Sequence, residues 1–291
     1  MQVRFGRLIA AVASAVLALF ASPAHAEPAM WVVKDADSTI YLLGTFHLTK
    51  PGMNWWSDKI DAAFKGSDEL WLEATVDGGD AQLQDLVLKY GFDREHPLSS
   101  KLSGDDWTKT QSAAMRAGLP IVAIEQMRPW LAGLALAVAP MIADGYAYEK
   151  GVDMQLERDA KASNKIIKTF ETAEQQLQFF AELSHEAEVV FLMQSVEMVA
   201  ASSTYVDQMA NAWISGDSDT LEIMVLETMK AGSPELYEAL IVRRNVTWCD
   251  QIATVMKGAG ISFVAVGAGH LVGDQSVPAI LVERGFTVTP Y

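Results

Sequence analysis

Two stretches near opposite ends of this chain read almost alike, and they constrain its fold more than any other feature. Residues 40–48 read IYLLGTFHL, and residues 263–271 read FVAVGAGHL. Each is a β-type apolar run that ends in Gly-x-x-His-Leu. An unbroken apolar run is typical of a strand covered on both faces, and a glycine at its end permits a tight turn. The pattern predicts two buried strands that present His47 and His270 at their carboxyl ends.

Strand-like and helix-like segments alternate towards both ends of the chain, whereas the middle is helical. This pattern is typical of an α/β fold. We predict a mixed, largely parallel central sheet with strands from both chain ends, in a single domain over residues 27–291 with a helical middle or cap at about 172–257. Expected strands are 30–33, 39–43, 69–72, 120–124, 165–170, 262–266 and 286–289, the first two forming a hairpin. Expected helices are 55–65, 81–90, 105–117, 129–143, 152–162 and 172–183, followed by a helical tract from 185 to 257.

The first 26 residues have the organisation of a secretory signal peptide. Arg4 and Arg7 precede an apolar run over 8–21, and Ala24-His25-Ala26 matches the small-x-small cleavage pattern. The run is shorter than the ~20 residues of a membrane-spanning helix. We therefore predict a periplasmic or secreted protein without stable membrane insertion after cleavage. The apolar run at 130–143 is short and contains Pro140, so a buried core helix is predicted there.

The charge balance limits the partners. The chain has 22 basic and 37 acidic residues, a formal net charge of −15 at pH 7. Sequence-independent binding to nucleic acid or anionic lipid requires clustered Lys and Arg, so both partners are excluded. Cys249 is the chain's one cysteine and has no intramolecular disulfide partner. It is interpreted as a small core residue.

Three glutamates follow predicted strands directly, as the two histidines do. They are Glu73, Glu125 and Glu171. In open α/β sheets, ligands bind where the carboxyl ends of the strands converge. Imidazole and carboxylate groups there would suit Mn²⁺, Zn²⁺, Co²⁺ or Fe²⁺. Such a metal would lower the pKa of the water bound to it. Without a metal, a histidine held by a glutamate would serve as a general base on water.

Each of these residues also has a purely structural interpretation. Glu171 would favour the start of a helix capped by Thr172 and Gln175, and Asp153 would do the same for its own helix. Glu125 would pair with Arg128. The remaining histidines after residue 26, His96 and His185, are assigned to a loop and to a helix start.

Arg243 and Arg244 lie on a predicted helix just before the second histidine module. They would form a solvated face, or one guanidinium would stabilise an oxyanion or hold a substrate carboxylate. The chain contains no Gly-x-Ser-x-Gly, Walker-type, Gly-x-Gly-x-x-Gly or His-Glu-x-x-His motif. Ordinary serine hydrolase, nucleotide-binding and zincin functions therefore have no support.

Taken together, seven motifs over nearly the whole chain after residue 26 resemble the TraB/PrgY/GumN family, and within it the GumN-like exported proteins. The related Tiki proteins are metal-dependent proteases with two Gly-x-x-His motifs and an acidic residue, and favour Mn²⁺ or Co²⁺. A more distant similarity is to erythromycin esterase-like hydrolases, whose sites use His, Glu, Arg and His in that order. The motifs are Leu43-Gly44-Thr45-Phe46-His47, Trp71-Leu72-Glu73, Arg128-Pro129-Trp130, Gly151-Val152-Asp153, Phe170-Glu171-Thr172-Ala173-Glu174-Gln175-Gln176, Arg244-Asn245-x-x-Trp248 and Val266-Gly267-Ala268-Gly269-His270-Leu271.

The resemblance implies a hydrolase-like site on a Tiki-like or erythromycin esterase-like fold. His47, Glu73 and His270 are the expected catalytic residues and metal ligands, with Arg244 as a clamp on the transition state. The implied cofactor is a divalent metal (Mn, Co or Zn). Three further residues within the shared motifs are expected to bind substrate: Asp153, Glu171 and Asn245.

Three hypotheses about function follow. The leading one is an exported metal-dependent hydrolase, a peptidase acting on peptide or protein, in which activated water attacks an amide. The alternative is a non-catalytic periplasmic protein that sequesters a peptide or saccharide in the same cleft. The third is an exported structural protein whose histidines only hydrogen-bond the sheet.

Overall fold

The computed structural model describes residues 27–75, 79–201 and 204–291. The predicted signal peptide therefore lies outside the described residues. Strands are β1 Met30–Lys34, β2 Ser38–Thr45, β3 Glu69–Leu72, β4 Ile166–Thr169, β5 Gly260–Gly267 and β6 Val288–Pro290. They form one sheet in the order β4-β3-β5-β2-β1-β6.

Helices fill the segments between the strands. They are α1 Asp58–Gly66, α2 Gly79–Gly91, α3 Gly104–Arg116, α4 Ile121–Ile124, α5 Pro129–Ala143, α6 Val152–Ala162, α7 Ala173–Ala181, α8 His185–Ala201, α9 Thr204–Ser215, α10 Ser218–Leu221, α11 Thr228–Gly232, α12 Pro234–Tyr237, α13 Arg243–Val255 and α14 Val277–Glu283. Short 3₁₀ turns lie at Leu98–Lys101, Tyr148–Lys150 and Ala268–Leu271, and π-helical turns at Glu222–Glu227 and Glu238–Val242.

The sheet is largely parallel, which confirms the predicted fold class. β2 pairs with β5, β5 with β3, and β3 with β4, all in parallel. β1 and β2 form the predicted antiparallel hairpin, and β6 adds antiparallel to β1. The hairpin turn is closed by Asp35, whose carboxylate accepts from the N–H groups of Asp37 and Ser38. The four parallel strands consequently end at one edge of the sheet.

Successive residues of β5 face opposite sides of the sheet, and both sides are buried. Phe263 and Ala265 contribute to the core on the side of α1 and α6. Val264 and Val266 contribute to the core on the side of α13 and α14, with Cys249. This two-sided burial accounts for the unbroken apolar run of the strand. Cys249 is buried, as expected of a core residue.

The segment 120–124 is helical, so the strand predicted there was wrong. Pro120 lies in an extended conformation immediately before α4, and the helix has only four residues. Val122 is 72% exposed, while Ile124 is fully buried. A short apolar run fits a buried strand or a helix equally well by periodicity, and here the proline starts a helix. Glu125 consequently does not follow a strand.

Helix α5 is a core helix, as its apolar sequence predicted. Trp130 and Leu136 are fully buried, and Gly133 allows close contact with the backbone of α8 at Leu192. Among the described residues, no single helix is long and apolar enough to cross a membrane, although the bent pair His185–Ala200 and Thr204–Ser215 meets that test by length and composition.

Candidate functional site

Four strands end side by side, and each is followed by an imidazole or a carboxylate. His47 follows β2, Glu73 follows β3, Glu171 follows β4 and His270 follows β5. The backbone N–H of Glu171 also donates to the carbonyl of Glu73 at 2.9 Å. This edge is where ligands bind in open α/β sheets. The fold therefore brings together both histidines and two of the three predicted carboxylates.

Arg244, at the start of α13, is the centre of the buried part of this site. Its Nη2 donates to Oε2 of Glu73 at 2.7 Å and to Oε2 of Glu171 at 2.9 Å. Its Nε donates to Oε1 of Glu171 at 3.0 Å. Its Nη1 donates to Nε2 of His270 at 3.1 Å and to the carbonyl of Leu240 at 3.2 Å. A guanidinium has five N–H groups, and all five are engaged by these partners.

Glu73 is buried and held in one orientation. Its Oε1 accepts from the backbone N–H of Gly267 at 2.7 Å, and its Oε2 also accepts from Nε2 of Gln176 at 3.0 Å. Burial acts to raise the pKa of this carboxyl, but the charge of Arg244, and then the two histidines, outweigh it and hold the pKa far below 4.5. Glu73 is therefore ionised across the physiological range.

Glu171 is the second carboxylate of this buried ion cluster. Besides Arg244, its Oε1 accepts from the indole N–H of Trp248 at 2.8 Å. The guanidinium of Arg244 also lies over the Trp248 ring, 4.8 Å from its centroid. The predicted capping box of Thr172 and Gln175 is present as well. Glu171 thus lies at the start of a capped helix, and its carboxylate binds Arg244.

His270 is buried and has a defined tautomer. Asn245 donates through Nδ2 to the carbonyl of Gln275 at 2.7 Å, so its Oδ1 accepts from Nδ1 of His270 at 2.6 Å. Nε2 therefore carries the lone pair that accepts from Arg244. Burial, followed by the positive charge of Arg244, lowers the pKa of His270 to about 3. The ring is neutral at physiological pH.

His47 differs from His270 in both exposure and charge. Its side chain is 51% exposed, and its Nδ1 lies 2.8 Å from Oδ2 of Asp153. Thr45 donates to the other oxygen of Asp153 at 2.8 Å. The carboxylate of Asp153 raises the pKa of His47 to about 9, although burial opposes the shift. Nδ1 is therefore tied to Asp153, and Nε2 is the nitrogen left for chemistry.

Two glycines allow this arrangement. A Cβ on Gly267 would lie 3.2 Å from both Nε2 of His47 and Oε1 of Glu73. A Cβ on Gly151, just before α6, would overlap the carbonyl oxygen of His47. The second glycine lets α6 approach closely enough for Asp153 to reach the imidazole.

A cleft of about 610 Å³ opens above His47 and Glu73. Its floor also contains Asp153 and Gln176, and Glu149 lies in its lining. Its remaining side chains are mainly apolar: Leu48, Leu72, Leu134, Val138, Ile142, Tyr146 and Tyr148. The site thus has a polar floor below an apolar wall.

The predicted metal ligands do not fit a metal ion in this arrangement. Nε2 of His270 and Oε2 of Glu73 both face the guanidinium of Arg244, which already supplies a positive charge there. His47 offers Nε2 alone, since its Nδ1 is held by Asp153, and a single imidazole is too few ligands for a metal site. Over the described ranges, no group of three or more His, Cys, Asp or Glu side chains is placed to hold a metal. The donor atoms of this site are thus engaged with Arg244 and Asp153 and do not form a set of metal ligands.

The other residues considered in the sequence do not take part in this site. Glu125 accepts from the hydroxyl of Ser99, and Arg128 pairs with Glu188 rather than with Glu125. Arg243 is exposed, whereas the side chain of its neighbour Arg244 is only 10% exposed. Arg128 also donates to the backbone carbonyls of Tyr90 and Ala181, so it holds helices together away from the site.

Three predicted substrate-binding residues contact other site residues directly. Asp153 binds His47, Glu171 binds Arg244, and Asn245 binds His270. Only Asp153 also lines the cleft. The residues that were not singled out from the sequence are Gln176 and Trp248, although both lie within the shared motifs.

Replacing Asp153 with asparagine should lower the pKa of His47 from about 9 towards 6.5, because the neutral amide removes the main cause of the shift. Two-dimensional NMR titration of the imidazole Cε1–H signals measures this change. The His47–Asp153 pair stabilises the fold fully below about 6.5, and that contribution is lost as the pH rises through about 9. An unchanged titration midpoint in Asp153→Asn would contradict the assignment.

Comparison with known proteins places the chain among largely uncharacterised relatives. It is 23% identical over 254 residues to the uncharacterised protein YbaP of Escherichia coli (strain K12), covering 87% of this chain and 92% of YbaP. It is 21% identical over 276 residues to an uncharacterised protein of Treponema pallidum (strain Nichols), covering 89% of this chain and 82% of that protein. No solved structure matches significantly, so the likeness to Tiki-like or esterase-like folds stays an expectation. A sequence profile of the TraB/PrgY/gumN family matches residues 29–290, and the chain belongs to this family.

Proposed function

We propose that this protein is a hydrolase that cleaves an ester or amide at the floor of the cleft, with His47 as the general base. The observation that carries the proposal is the His47–Asp153 pair, whose imidazole is half-exposed in the lining of a cleft. Clefts with a few convergent polar groups and shifted pKa values are typical of active sites.

In the proposed reaction, Nε2 of His47 accepts a proton from a water molecule while the oxygen of that water attacks the acyl carbon of the substrate. The imidazolium that forms is stabilised by Asp153 and by the nearby carboxylate of Glu73. The bond to the leaving group then breaks, and the imidazolium returns the proton to that group. Since the neutral imidazole is the base, activity should rise with pH up to the pKa of His47.

The buried cluster has a positioning role in this proposal. Arg244 holds Glu73, Glu171 and His270 in fixed orientations, and all of its N–H groups are engaged. A direct clamp on a substrate oxygen would require one of these bonds to break. The contacts therefore favour Arg244 as the residue that fixes the negative charge of Glu73 beside His47.

The test uses the mature chain, residues 27–291, with chromogenic esters and anilides, once in chelator and once with added Mn²⁺. Turnover in chelator that increases towards alkaline pH supports the proposal. Turnover that requires Mn²⁺ would contradict the metal-free mechanism and favour the metal-dependent hydrolase. Ligand binding without turnover would favour the sequestering protein.

Replacing Gly267 with alanine should reduce turnover by about tenfold or more, because a small misplacement of a catalytic group is costly. Its φ of −49° and ψ of 135° suit an alanine, so the backbone is not strained. Glu73 is held by Arg244, whereas His47 is half-exposed and can move away from the new Cβ. Steady-state kinetics measure the loss, and Gly66→Ala is the matched control, since nothing lies within 4 Å of a Cβ there. Equal kinetics in the two variants would contradict the assignment.

We also propose export to the periplasm, supported by the basic residues, apolar run and cleavage pattern of residues 1–26. Cell fractionation with amino-terminal sequencing tests this. A mature protein that begins at Glu27 in the periplasmic fraction is expected.

A further inference from the structure

We infer that the substrate of this site carries a medium-length, uncharged acyl chain, which lies along α5 with its ester or amide carbonyl at His47. This inference rests on the proposed function, since it names the substrate class of the same site. It is carried by the distribution of polar and apolar groups in the cleft.

The apolar wall is one continuous stripe of a helix. Leu134, Val138 and Ile142 are spaced by four residues, so they lie on one face of α5. Ile142 is 60% exposed, and Tyr148, which lines the same cleft, is 53% exposed. From Leu134 to Ile142 the helix rises about 12 Å, at about 1.5 Å per residue. Leu134 and Val138 are partly exposed, and a stripe of this length that lines a cleft together with polar groups is typical of a ligand-binding wall.

The nature of this wall favours an alkyl chain over a peptide. The backbone N–H and C=O groups of a helix are paired within the helix, and the stripe presents aliphatic side chains only. An extended peptide lying there would have backbone polar groups without partners, which is costly. An alkyl chain has no such groups. The polar partners are instead concentrated at the floor, beside His47 and Gln176.

The charges of the cleft favour a neutral substrate. Glu73, Glu149 and Asp153 line it, and among the residues that the structure describes His47 is the one basic side chain in its lining. A free fatty acid would place its carboxylate near these groups, whereas a neutral ester or amide avoids the repulsion. Hydrolysis converts the neutral acyl group into an anion, so the same charges favour release of the product.

The first experiment compares acetyl, butyryl, octanoyl and dodecanoyl esters of p-nitrophenol in chelator. Burial of each methylene is favourable, so kcat/KM should rise by about tenfold or more between the acetyl and octanoyl esters. In Val138→Asn/Ile142→Asn this preference should be lost, because kcat/KM for the octanoyl ester should fall by about tenfold or more relative to kcat/KM for the acetyl ester. Val122→Asn is the matched control, since Val122 is exposed outside the cleft. Equal kcat/KM for all esters, or faster cleavage of apolar peptide anilides, would overturn the inference.

The second experiment measures binding without catalysis, in His47→Gln. The uncharged dye N-phenylnaphthylamine should gain fluorescence on binding, and methyl octanoate should displace it far better than methyl acetate. The binding should be lost when Val138→Asn/Ile142→Asn is combined with His47→Gln. Binding of the dye with no ester turnover by the unmodified protein would overturn the proposed function but support the acyl site. Ester turnover with no preference for chain length and no dye binding would support the proposed function but overturn the acyl site.

Discussion

Replacing Arg244 with methionine is expected to destabilise the fold by about 3–5 kcal/mol at pH 7, the largest stability effect anticipated for a single substitution in this site. Removing one partner of a buried ion pair leaves the other charge uncompensated. Here the substitution leaves two buried carboxylates, Glu73 and Glu171, without their common cation. Chemical denaturation followed by circular dichroism measures the change in the free energy of unfolding.

The loss of stability in Arg244→Met should depend on pH. In the unmodified protein, the folded-state pKa of Glu73 is lowered, so its contribution to stability is present above about 4.5 and lost at lower pH. Without Arg244, burial dominates and raises that pKa, so the carboxylate destabilises the fold at neutral pH and is relieved on protonation. The difference between the two proteins should therefore shrink from pH 7 to pH 4.

Arg243→Met is the matched control for this experiment. Arg243 is adjacent on the same helix, has the same charge and is exposed. Its replacement removes no buried partner, so the free energy of unfolding should change little. If the two methionine variants were equally stable, the central role of Arg244 would be refuted.

Replacing His47 with glutamine is expected to reduce ester turnover by about 10²–10⁴-fold, the usual contribution of a general base. The variant loses the stabilising ion pair with Asp153 but should remain folded, because the half-exposed His47 side chain leaves no cavity in the core. Kinetics at several pH values measure the effect, and the rise of activity with pH should disappear together with the base. The chain offers His96→Gln as a control, since that imidazole is exposed and lies in a loop away from the site. Wild-type turnover in His47→Gln would exclude the proposed mechanism.

The sequence predicted the framework of the site well, because that framework depends on local pattern. The apolar runs before His47 and His270 indicate buried strands, and parallel pairing then brings their ends together. The same pattern predicted that Glu73 and Glu171, which come after β3 and β4, would lie at this edge of the sheet. The strand predicted at 120–124 was wrong, since the four apolar residues after Pro120 are too few to distinguish the period of a strand from that of a helix.

The connections within the site could not be predicted, because they join residues far apart in the chain. Asp153 reaches His47 across 106 positions, and Arg244 reaches Glu73 across 171. The opposite charge states of the two histidines arise from these contacts and from burial. The sequence also did not show which face of α5 lines the cleft, since an almost uniformly apolar helix has no polar face to mark its exposed side.

The π-helical turn at Glu238–Val242 has a consequence for how this family can vary in length. The turn ends two residues before Arg244, and its i→i+5 hydrogen bonds accommodate one more residue than the same stretch of α-helix would. Loss of a single residue there would restore regular α-helical hydrogen bonding and rotate the residues before it by about 100° relative to Arg244. Arg244 could then keep its ion pairs with Glu73 and Glu171 only if the preceding helical turn changed its packing. Relatives that keep the buried ion cluster should therefore tolerate insertions and deletions in surface loops, but keep the residue count of this turn.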